Sequence, residues 1–171
     1  MTAWARSCSA CFTGHRDLAK EQLTAIMDEV STTVIGLMAQ GITHYYAGGA
    51  LGFDLVASVA VLNLKNRYPM VTLTLALPCR EHMKGWGRID REIFRGVMAR
   101  ADETVYVSEE YFRGCMQVRN RYMVDRSTLC LAYLSECRGG TYQTVCYAKK
   151  QGIPIVNLAG TALGEQLTFS I

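Results

Sequence analysis

The chain has 171 residues, half of them hydrophobic, and a formal charge of +3, so it can bury one sizeable core without disulfides or metals. So small a charge does not mark a nucleic-acid binder, and the arginines between Arg80 and Arg126 are interleaved with Asp90, Glu92, Glu109 and Glu110, as on a solvated mixed surface. No stretch has the length of a membrane span and the opening MTAWARSCSACFTGHR has no apolar centre like a signal peptide's, so a single cytoplasmic domain without membrane contact is expected, its seven cysteines reduced.

In chain order, SCSACF (7–12) reads as a first strand ending at TGHR. Cys8 and Cys11 would then point to opposite faces, as structural thiols rather than a redox pair. Apolar residues at helical spacing run from Leu23 to Met38, and Gly41 stops that helix. THYYA (43–47) is the second strand, followed by the helix FDLVASVAVLNLKN. MVTLTLAL (70–77) is the third and ends at Pro78. Trp86, Ile89, Ile93, Phe94, Val97 and Met98 then form a helical stripe, with Arg88, Arg91 and Arg95 opposite. ETVYV (103–107), a helix near 115–126, TLCLAYL (128–134), a helix near 141–151 and the short IPIVNL (153–158) complete the chain. Strands alternating with helices predict a doubly wound α/β domain, a mainly parallel sheet of five to six strands covered on both faces.

In such a sheet the strand-to-helix loops share one edge, where ligands bind. The unusual residues fall there: TGHR (13–16), GGALGFD (48–54), PCREH (78–82), SEEYFRGCM (108–116) and RGGT (138–141). Gly48, Gly49 and Gly52 form one candidate phosphate cradle, and Gly139 and Gly140 with Thr141 a second. Each reads equally as a tight turn with a cap, Thr141 being the capping residue of its helix. The spacing is neither the dinucleotide fingerprint nor a Walker loop. Asp54 is placed either to stabilise its helix dipole or to accept a ribose hydroxyl. Arg16 is placed to pair with phosphate, and His15 to hydrogen-bond or move a proton. Met116, Asn120, Met123 and Ser127 share one helical stripe, with Arg119 beside it, so Asn120 needs a partner, either a neighbouring loop or a ligand. Cys79 and His82 have no second pair to complete a metal site, so no metal is expected.

The set FTGHR, GGALGFD, LPCREH, GCMQVRNRYMVDRS, LAYL and GGTYQTVCYA resembles the YpsA-like family of the SLOG superfamily, relatives of the DprA and LOG proteins. The resemblance implies a Rossmann-like fold and a site for a nucleotide or nucleotide-derived ligand, such as an ADP-ribose compound. The implied site residues are Thr13, Gly14, His15, Arg16, Gly48, Gly49, Gly52, Asp54, Pro78, Arg119, Asn120, Gly139, Gly140 and Thr141. LOG proteins are phosphoribohydrolases whose signature pairs M-x-x-R-K-x-x-M with a later P-G-G-x-G-T-x-x-E. Here MQVRNRYM keeps Arg119 but has Asn120 for the lysine, and Thr144 stands where the catalytic glutamate belongs. Threonine offers no carboxylate, so binding or sensing is the expected function. A glycosidase using Glu81 or Glu110, with Arg119, is the alternative. Single-stranded DNA binding through Tyr111, Phe112 and Arg113, as in DprA relatives, is a third. A homo-oligomer is compatible with all three.

Overall fold

The computed structural model describes residues 6–160. Six strands, β1 (Ser9–Gly14), β2 (His44–Ala47), β3 (Thr72–Leu77), β4 (Glu103–Tyr106), β5 (Leu129–Tyr133) and β6 (Ile155–Asn157), form one sheet in the order β4-β3-β2-β1-β5-β6. Every adjacent pair is parallel. Five helices alternate with them: α1 (Leu23–Met38), α2 (Phe53–Lys65), α3 (Arg88–Arg100), α4 (Cys115–Asp125) and α5 (Gly139–Lys150). The fold is α/β and Rossmann-like, and the sixth strand is present, three residues long.

The order explains the layers. From β1 to β4 each crossover steps the same way, so right-handed connections put α1, α2 and α3 on one face. The chain then returns past β1 to β5 and goes on to β6, which puts α4 and α5 on the other. Side-chain alternation along the strands divides the core accordingly. Phe12, Tyr45, Leu73, Leu75 and Leu131 pack beneath the first three helices. Cys11, Ala76, Cys130 and Ala132 meet Met123, Val124, Val145 and Ala148 of α4 and α5.

Some expected details differ. β1 begins at Ser9, and Cys8 ends a short 3-10 turn instead. In α3 only Phe94 and Val97 are fully buried, while Ile89 is 72% and Ile93 47% exposed. This helix covers the outermost strand, so the sheet offers it too little width to bury the whole predicted stripe. Among the described residues, no helix is long and apolar enough to cross a membrane.

Candidate functional site

Strand order reverses between β1 and β5, and the crevice at such a reversal is where open α/β sheets bind ligands. The two loops there are joined. The Ser135 N–H donates to His15 Nε2 at 2.9 Å, and the His15 N–H to the Tyr133 carbonyl at 3.3 Å. His15 thus fastens the β1 loop to the β5 loop. Thr13 is buried, and a Cβ on Gly14 would overlap the Phe53 side chain, whereas Arg16 is exposed.

The β2–α2 turn is filled by the protein itself. A Cβ on Gly48 would overlap the Arg119 guanidinium and stand 2.8 Å from Asp54 Oδ2. Gly49 and Gly52 have φ of 66° and 81°, a region costly to other residues. A Cβ on Gly49 would press on Leu77 and Phe94, and one on Gly52 on the Arg16 and His15 carbonyls. Asp54 is 5% exposed and accepts the Gly48 N–H at 3.1 Å. Arg119 reaches this turn from the opposite face of the sheet. It is 5% exposed, donates to the Gly48 carbonyl and lies 4.0 Å from Asp54. Burial pushes the Asp54 carboxyl up, against the pull of Arg119 and of the Ala50 and Gly48 N–H groups.

On α4 the deeply buried polar residue is therefore Arg119, not Asn120. The helix is turned so that Cys115, Arg119, Met123 and Val124 face inward, while Met116 of the expected stripe is 39% exposed. Asn120 has a partner nonetheless: its amide donates to Thr144 Oγ1 at 2.8 Å, and that hydroxyl donates to the Gly140 carbonyl at 2.8 Å. Asn120 and Thr144, which stand where the hydrolase signature has its lysine and glutamate, are thus in contact with each other.

The β5–α5 turn is open. Gly139 has φ of 78°, both Gly139 and Gly140 are exposed, and a Cβ on either would meet nothing within 4 Å. Helix α5 begins at Gly139, two residues earlier than expected, so Thr141 lies buried inside its first turn and is not the cap. Arg138 holds the cap position and makes no side-chain cap bond. The first N–H groups of a twelve-residue helix therefore lack the side-chain cap that commonly satisfies one of them.

Beyond the buried Pro78 lies a cleft of about 400 Å³, lined by Cys79, Glu81, His82, Lys84, Tyr111 and Met116. In the sequence His82 is only half of an incomplete metal pair with Cys79. It is buried, and its Nε2 lies 2.6 Å from the Gly49 carbonyl. A carbonyl only accepts, so Nε2 carries the proton and Nδ1 a lone pair. Nδ1 has no partner among the described residues. Burial pulls the His82 pKa down to about 4, with Arg119 and Arg16 adding to the effect against the bond to Gly49. Glu81 is exposed on the cleft rim and paired with Lys84 at 3.3 Å. Glu110 is exposed on the loop before α4, outside the cleft lining. All seven cysteines are free thiols, and no cluster of three or more metal-ligating side chains occurs among the described residues.

A family model, YpsA, described as the YspA SLOG family, matches residues 11–152. The SPbeta prophage-derived protein YoqJ of Bacillus subtilis is 29% identical over 160 residues, 86% of this chain and 84% of that one. The UPF0398 protein YpsA of the same organism is 26% identical over 137 residues, 76% of each. Among solved structures, DNA processing protein A from Helicobacter pylori, described for its single-stranded DNA binding mode, superposes with a TM-score of 0.60 at 15% identity. That match covers 88% of this chain and 64%, less than two thirds, of the other.

Proposed function

The chain belongs to the YspA SLOG family, and from that premise we propose that it binds or senses a nucleotide or nucleotide-derived ligand, such as an ADP-ribose compound, at the carboxyl edge of its sheet. The observation that carries this reading is the β5–α5 turn: exposed glycines and an α5 start without a side-chain cap, opening on the crevice where strand order reverses. Bare N–H groups with a helix dipole behind them favour an anion, and the exposed Arg16 supplies a cation near the same loops. The reading is tested by thermal denaturation with AMP, ADP and ADP-ribose. A ligand at about a hundred times its dissociation constant adds about 2.7 kcal/mol, and no shift with any of them at millimolar concentration removes it.

The Asn120–Thr144 contact favours binding over glycosidase chemistry. Both groups are neutral and the threonine hydroxyl is already bonded on two sides, so neither stabilises an oxocarbenium-like centre as a carboxylate does. Release of free base from nucleoside monophosphates, lost in Glu81→Gln, would reverse the ranking. A second reading, single-strand binding, draws on Tyr111 and Phe112, 66% and 44% exposed beside the exposed Arg113. Oligonucleotide affinity that falls steeply with salt would support it.

A further inference from the structure

We infer that the cleft between the β3–α3 loop and the start of α4 is a subsite for a purine-type base, the end of the ligand remote from its phosphate. The inference rests on the nucleotide reading above and adds which end of the ligand lies where. The cleft, about 400 Å³, falls within the volume of small-molecule sites. Its lining suits a flat heteroaromatic ring. Tyr111, 66% exposed, offers a face for stacking, and Met116, 39% exposed, an adaptable thioether. His82 is 9% exposed and held by its bond to Gly49. Its Nδ1, on a ring that lines the cleft, is a buried acceptor with no partner among the described residues, and such groups call for a donor. A ring N–H or amino group is such a donor; a fully ionised phosphate is not. Lys84 and Glu81 close the rim and exclude neither sign of charge. From β3 to β5 is three strand spacings, about 14 Å, so a ligand reaching both ends is extended.

Two half-ligands separate this inference from the reading beneath it. Adenosine carries no phosphate and tests the cleft; inorganic pyrophosphate carries no base and tests the α5 end. Adenosine is expected to show saturation transfer from the full chain, reduced at least tenfold in Tyr111→Ala and restored in Tyr111→Phe, while pyrophosphate binding measured by calorimetry stays unchanged in both variants. Tyr111 is an exposed loop residue, so these variants are expected to fold. Adenosine transfer absent from the parent, or undiminished in Tyr111→Ala, overturns the subsite even where pyrophosphate binds. Pyrophosphate failing to bind while adenosine behaves as expected removes the phosphate reading and leaves the cleft standing. Oligothymidylate binding lost in Tyr111→Ala, without an adenosine signal, overturns the subsite in favour of strand binding.

Discussion

The two glycine turns look alike in sequence and differ in space. In the β2–α2 turn the absence of side chains is used internally: Arg119, Asp54, Leu77, Phe94 and the Arg16 and His15 carbonyls occupy the volume the glycines leave. In the β5–α5 turn that volume is open. A glycine cluster at a strand's end thus has two uses, letting the protein close on itself or letting something else approach, and only the neighbours distinguish them. Gly49, suited in sequence to a phosphate approach, is hemmed in by the core in space. Its replacement by valine would therefore be destabilising whatever binds nearby.

The closed turn is most vulnerable at Arg119. Arg119→Ala leaves the Asp54 carboxylate buried without its cation, and a loss of about 3–5 kcal/mol is expected in urea denaturation. A loss below about 1 kcal/mol would mean that the closed turn does not depend on that pair. Next comes Gly48→Ala, whose methyl overlaps the same guanidinium; overpacking of this kind costs about 1–3 kcal/mol. An unchanged urea midpoint would show that the arginine moves aside at no cost.

Acid acts on the closed turn through His82, which is bonded to Gly49. His82 titrates near its ordinary 6.5 when unfolded and at about 4 when folded. Between those values the unfolded chain holds the extra proton, so stability is full above about pH 6.5 and falls on acidification. The slope is up to about 1.4 kcal/mol per pH unit. His44, also lowered to about 4 by burial, contributes in the same direction. His82→Gln keeps a donor for Gly49 and removes one titration, so urea midpoints at pH 7.5, 6 and 5 should lie on a shallower line than the parent's. The smallest effect belongs to the open side. Gly140 lacks a positive φ, and Gly140→Ala should leave the stability unchanged or raise it by at most about 1 kcal/mol. Pyrophosphate affinity should fall in the same variant. Loss of stability together with unchanged affinity would mean that this turn, too, is closed.

The alternation of strands and helices was legible because each buried strand is a short apolar run bounded by turn residues. The carboxyl-edge loops followed from it, since a parallel sheet leaves no other place for them. The rotation of α4 was not legible. Its sequence mixes arginines, methionines and amides around the whole circumference, so the phase of the apolar face is underdetermined, and the spacing puts Asn120 on the apolar stripe with Arg119 only beside it. Nor could the sequence mark His82. Its value comes from Gly49, Trp86 and Phe94 closing around it, contacts that no spacing rule encodes. The signal available was its place in the loop after β3, on the same edge as the glycines.

The position of β1 between β2 and β5 also bears on how the chain is made. At a ribosome, β1 can pair with β2 once residue 47 has been added, but its other edge waits for β5, with residues 48–128 still to be added. At ordinary elongation rates that takes on the order of 10 s. Through that interval the nascent chain presents an unfinished strand edge, a template for pairing with other chains. The arrival of β5 is thus also the step that covers the free edge of β1.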